Sequence, residues 1–157
     1  MNATVYLETS IVGYLASRPS RDLITAANQQ LTRDWWDGHR KQYDLYVAEP
    51  VVAECNAGDP AAAKERLNII ADIPVLDVTP AAEHLTEDLM KRIPLPQNAE
   101  IDALHIAIAT VNGIEYLLTW NCAHIANAAL QARIEAICRG AGFEPPTICT
   151  PQQLMES

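Results

Sequence analysis

The chain of 157 residues is 49% hydrophobic and 20% charged, which suits one globular domain with a sizeable core. Eleven basic against twenty acidic residues give a net charge of −9, which excludes a protein whose whole surface attracts nucleic acid and suits one that binds cations or a basic partner. No apolar run approaches bilayer-spanning length and MNATVYLETS shows no signal-peptide pattern, so a cytoplasmic protein without membrane association is expected.

Ala3–Glu8 reads as a strand with Val5 and Leu7 on one face and Tyr6 and Glu8 on the other, so that Glu8 ends it. A short helix fits Ser10 to about Ser17. A longer helix begins at Ser20 and carries Leu23, Ile24, Ala27, Leu31, Trp35 and Trp36 at near-helical spacing, with Gly38 at its end. Tyr43–Ala48 reads as a second strand, and Pro50 then suits the first turn of a helix carrying Val51, Val52, Ala53 and Glu54. Asp59-Pro60 caps a helix to about Asp72, Pro74–Val78 reads as a short strand, and Thr79-Pro80 repeats the cap for a helix to about Arg92.

Glu100 to Asn112 is predicted as a helix apolar on nearly every side and therefore buried over most of its surface. Gly113 stops it. Glu115–Thr119 reads as a strand, Ala123 to about Cys138 as a helix, and Pro146–Cys149 as a last short strand. Thr150 and Gln153 have capping-box spacing for a terminal turn. Strands separated by helices imply crossover connections, and hence a three-layer α/β/α sandwich with a mainly parallel sheet, spanning residues 1–157 as one domain.

Cys55, Cys122, Cys138 and Cys149 form no C-x-x-C pair and read as reduced core thiols. Arg18, Arg21 and Arg33, and likewise His39, Arg40 and Lys41, read as solvated surface that supplies local positive charge.

Sites in open parallel sheets form at the carboxyl ends of strands. That rule selects Glu8-Thr9-Ser10, then Glu49 with Glu54 beyond it, and then Thr119-Trp120-Asn121. Asp102, in the first turn of the buried helix, joins them. Acids there also complement the helix macrodipole. Clustered carboxylates repel one another unless a cation neutralises them, and hard oxygen ligands suit Mg²⁺ or Mn²⁺. The chemistry implied by Glu8, Glu54 and Asp102 is metal-assisted phosphodiester hydrolysis. Thr9 and Ser10 are placed to position water or phosphate near Glu8, or to cap the helix that follows. His105 lies on the Asp102 side of its helix and either reaches the site or is satisfied in the core. Trp120 either stacks on an RNA base or packs against the helix below it. His124 and Cys122 are two residues apart, with no further ligands to complete a transition-metal site.

The ordered segments Val5-Tyr6-Leu7-Glu8-Thr9-Ser10, Val51-Val52-Ala53-Glu54, Asp102-Ala103-Leu104-His105-Ile106-Ala107 and Leu117-Leu118-Thr119-Trp120-Asn121 resemble the PIN-domain nucleases, in particular VapC-type toxins of toxin–antitoxin modules. The resemblance extends over nearly the whole chain. It implies a PIN-like fold and a Mg²⁺- or Mn²⁺-dependent endoribonuclease, often a homodimer, held inactive by a protein antitoxin. Glu8 corresponds to the first member of the family's acidic quartet, where aspartate is usual, and Glu54 and Asp102 match the second and third. Asn121 stands at the fourth position, again usually aspartate. An amide oxygen can coordinate a hard cation or orient water, but it brings no charge. The alternative is a catalytically weakened PIN-like binding protein that acts through a protein partner.

Overall fold

The computed structural model describes residues 2–155. In chain order the elements are β1 (Ala3–Leu7), α1 (Thr9–Ala16), α2 (Leu23–Gly38), β2 (Tyr43–Ala48), α3 (Glu49–Cys55), α4 (Pro60–Ile69), β3 (Val75–Leu76), α5 (Pro80–Arg92), α6 (Glu100–Val111), β4 (Tyr116–Leu118), α7 (Gln131–Gly140), β5 (Thr147–Cys149) and α8 (Pro151–Met155). The strands form a five-stranded sheet in the order β3-β2-β1-β4-β5, and every paired neighbour runs parallel. Parallel pairing requires crossovers, and the helices that provide them flank the sheet as a three-layer α/β/α arrangement.

The chain starts in the middle of the sheet, builds outward to β2 and β3, and returns to the other side of β1 for β4 and β5. The strand order therefore reverses between β1 and β4. A crevice opens at such a reversal, outside the carboxyl ends of the two strands. The register pairs Tyr6 with Leu117 and Leu7 with Leu118, which brings Glu8 and Thr119 together at that point. The strand residues beneath it, Tyr6, Leu7, Leu117 and Leu118, are fully buried. Each such side chain contributes about 1.5–3 kcal/mol of burial, so the floor of the crevice is firm.

Helix α6 packs with Ala103, His105, Ile106, Ala107, Ile108, Ala109 and Thr110 all buried, as its all-round apolar sequence requires. Local capping chemistry fixes several helix starts. Asp59 accepts from the Ala62 N–H at 3.0 Å, and Thr79 accepts from the Ala82 N–H at 3.2 Å. Thr150 and Gln153 exchange bonds of 2.9 and 3.3 Å, a capping box.

Four expectations change. The second helix starts at Leu23 and not at Ser20, because Asp22 is the residue that caps it, accepting from the Thr25 N–H at 2.9 Å. Strand β3 spans only two residues, because only Val47 and Ala48 pair with it. Residues 123–130 are turns, and α7 begins at Gln131. The reason lies in the asparagines: Asn121 accepts from the His124 N–H and Asn127 from the Ala129 N–H, and such local bonds compete with a helix. Finally, Cys122 is exposed within these turns, whereas Cys55, Cys138 and Cys149 are buried as expected.

Candidate active site

Glu8 follows β1 and precedes the first turn of α1, so its backbone is held by the sheet through a 3.1 Å bond to the Leu118 carbonyl. Its side chain is buried, at 5% exposure. Two hydroxyls converge on one carboxylate oxygen: Ser10 Oγ donates to Oε1 at 2.5 Å and Thr119 Oγ1 donates to it at 2.6 Å. Both hydroxyls are oriented by backbone donors, since Trp120 N–H gives to Ser10 Oγ and Asn121 N–H gives to Thr119 Oγ1. Their protons are thereby committed to Glu8.

Glu54, on α3, reaches the same crevice. Its Oε1 accepts from Thr9 Oγ1 and from His105 Nε2, each at 2.7 Å. His105 is fully buried, and its other ring nitrogen, Nδ1, meets the Tyr6 hydroxyl at 2.7 Å. A carboxylate only accepts, so Nε2 carries the ring proton. Burial, followed by the charges of Glu8 and Glu54, holds the Tyr6 phenol well above its usual range. The phenol therefore keeps its proton and donates it to Nδ1. For Glu54, burial pushes the carboxyl up, but the bonds from His105 and Thr9 outweigh it and leave the group below its ordinary value.

The ligating atoms of Glu8, Glu54 and His105 all lie within 4.8 Å of one another. His105 spends both nitrogens on protein partners, so it acts here as the clamp on Glu54. Each carboxylate takes its donors on Oε1, and among the described residues no hydrogen bond falls on either Oε2. Nor does any lysine or arginine among them pair with Glu8, Glu54 or Asp102. Two converging carboxylates, each held by one oxygen and lacking a cationic partner, fit a hard divalent cation.

Asp102 and Asn121 are placed differently. Asp102 lies one turn before His105 on α6, outside the clustered trio, and its Oδ2 accepts from His124 Nδ1 at 2.8 Å. Asn121 follows β4 and uses its amide oxygen to accept the His124 N–H at 3.1 Å, which shapes the turn that delivers His124 to Asp102. Thr9 and Ser10 are each bound to a carboxylate of the site. Trp120 packs partly against the core, and its indole N–H donates to Thr32 Oγ1 on α2 at 2.7 Å.

Sequence reasoning placed Thr119 at a strand end and weighed His124 only as a transition-metal ligand beside Cys122, and it gave neither of them, nor Tyr6, its part in this network. The alternation that set Tyr6 beside Glu8 on one strand face was a usable signal, because α6 covers that face with His105. Nothing local marks His124, whose partner Asp102 is distant in sequence.

No protein-family model matches the sequence, and no curated protein matches it significantly. Solved structures do resemble the fold. VapC20 of Mycobacterium tuberculosis, described as a sarcin-ricin loop cleaving toxin, aligns with a TM-score of 0.61 at 18% identity, over 79% of this chain and 95% of that one. VapBC2 of Rickettsia felis, solved with a DNA fragment from its promoter, aligns with a TM-score of 0.59 at 14% identity, over 94% of this chain and 98% of that one. The switch point that gathers Glu8 and Glu54 thus belongs to a known architecture, and the chain has the fold of the VapC-type PIN domains.

Proposed function

We propose that the protein is a divalent-metal-dependent endoribonuclease, the toxin of a toxin–antitoxin module, with RNA as substrate and a cognate antitoxin as partner. The observation that carries this reading is the convergence of Glu8 and Glu54 at the switch point, each with one oxygen clamped and the other open. Glu8, Glu54 and Asp102 would hold Mg²⁺ or Mn²⁺, with Asn121 assisting from the adjoining turn. Bound there, such an ion supplies charge neutralisation at the phosphate and a water made nucleophilic at neutral pH.

The chain's own residues do the rest. Ser10 and Thr119 fix Glu8, Thr9 and His105 fix Glu54, and Tyr6 fixes His105, so the carboxylates cannot swing apart to relieve their repulsion. Preorganisation of this kind spares reorganisation when charge develops on the substrate. The burial of Glu8 and His105 keeps water away from the back of the site. The two fold neighbours support the toxin reading, as do the sequence segments in PIN order. We assign the protein to the cytoplasm and expect a homodimer.

A catalytically weakened PIN-like binding protein is the second reading. What favours it is Asn121, neutral and engaged with the His124 N–H, together with an Asp102 already committed to His124. Two measurements separate the readings. Asp102→Asn should abolish metal-dependent RNA cleavage while circular dichroism stays unchanged; undiminished cleavage would sink the assignment. Calorimetry with Mn²⁺ should show binding that this substitution removes, whereas no heat at millimolar metal favours the binding protein.

A further inference from the structure

Gly13 sits inside α1, four residues after Thr9, where a glycine weakens the helix relative to alanine. A Cβ added there meets nothing within 4 Å, so no neighbour in the protein keeps that backbone bare. The next residue, Tyr14, meets Trp120, with ring centroids 6.2 Å apart and planes tilted by 32°. Both side chains are half-buried.

Trp120 is held at two points. Its indole N–H gives to Thr32 Oγ1, and that hydroxyl gives on to the Asn28 carbonyl at 2.6 Å. Its backbone N–H gives to Ser10 Oγ, the same hydroxyl that donates to Glu8. The ring is therefore fixed, its polar atom is used, and only its apolar surface remains to offer. It stands one residue's hydrogen bond from the candidate catalytic carboxylate. Just beyond α1, Arg18 and Arg21 are exposed and form no ion pair among the described residues, an isolated source of positive charge on an acidic protein.

We propose that this surface binds single-stranded RNA: an unpaired base stacks on the Tyr14–Trp120 pair, the sugar-phosphate backbone crosses Gly13, and Arg18 and Arg21 meet the adjoining phosphates. Stacking needs a free base face, which a duplex does not offer, and it tolerates any base. The nuclease reading supplies the scissile phosphate beside Glu8, and the inference rests on it for that placement only.

The test reads fluorescence anisotropy of a short labelled oligouridylate, alone or paired with its complement, in EDTA. The single strand should bind more tightly than the duplex. Tyr14→Ala and Trp120→Ala should each weaken it roughly tenfold, with Trp120→Phe retaining most of the affinity. Gly13→Ala should raise the thermal midpoint, as expected for the better helix former, and still weaken RNA binding, a combination that a purely structural glycine would not give. Duplex bound as tightly as the single strand, no binding of the single strand at all, or wild-type affinity in folded Tyr14→Ala and Gly13→Ala overturns the proposal. Because EDTA removes the ion, a protein that cleaves nothing still tests the shelf. Cleavage lost in Asp102→Asn but shelf variants binding normally refutes the shelf alone.

Discussion

The Tyr6 hydroxyl lies 2.7 Å from His105 Nδ1, and His105 Nε2 lies 2.7 Å from Glu54, so a core phenol sets the position of a carboxylate at the crevice. Tyr6 and His105 each have one proton to give and a partner to receive it, so neither ring of the relay has an unsatisfied polar atom. Tyr6→Phe keeps the ring's packing, including its edge contact with the imidazole at 5.8 Å between centroids, and removes only the donor. Nδ1 would then be buried without a partner, a loss of about 1–3 kcal/mol. Urea unfolding should show a lower midpoint with an unchanged slope. A midpoint equal to wild type would mean that water reaches Nδ1 and that the relay does not hold Glu54.

At the scale of elements, what could be read from the sequence was what neighbours in sequence decide. Asp59-Pro60, Thr79-Pro80 and the Thr150/Gln153 box open α4, α5 and α8 where their spacing places them, because a cap needs partners only two or three residues away. The Tyr6/Glu8 alternation and the all-round apolar character of α6 were equally local. The turns of residues 123–130 were not, since a helix was expected from Ala123 while Asn121 and Asn127 offered the backbone other bonds. The pairings of Glu54 with His105 and of Asp102 with His124 span long stretches of chain and depend on the sheet order. The same turn provides a test. Asn121→Asp keeps an acceptor for the His124 N–H and adds the charge that the PIN resemblance expects, so the fold should persist and Mn²⁺ affinity should rise by about tenfold or more. Asn121→Ala removes the acceptor and should open residues 121–130 to limited proteolysis. Unchanged metal affinity in Asn121→Asp would show that position 121 shapes the turn and nothing more.

Over the whole molecule, a net charge of −9 works against RNA, so on the proposed nuclease reading attraction would come from a local field: an ion at the carboxylates and the few unpaired arginines near α1. The same acidic balance makes pH a probe of the site, with the sign set by each group. Glu54 is held below its ordinary value of 4.5, so the fold favours its charged form; its contribution is complete above that pH and is lost as acid protonates it. Asp22 and Glu144 shift the same way, through the Thr25 cap and the Arg139 pair respectively, and they add to the acid limb. Tyr6 shifts upward from 10.0, first through burial, so the fold favours its neutral form. Its contribution is complete below that pH and falls as the solution becomes more alkaline, because the unfolded chain ionises first. Tyr43 is raised too, chiefly by burial, and adds to the alkaline limb. Burial also raises the thiols of Cys55 and Cys149 to about 11 and that of Cys138 above 9.0, so they join the alkaline limb. Stability measured by urea unfolding should therefore be flat between 4.5 and 9.0 and fall at both ends. Tyr6→Phe should make the alkaline limb shallower above pH 10 and leave the acid limb, and Glu54→Gln should make the acid limb shallower and leave the alkaline one. If Tyr6→Phe instead loses stability in parallel with wild type above pH 10, other groups set that limb and the buried phenol is not the one the fold protects.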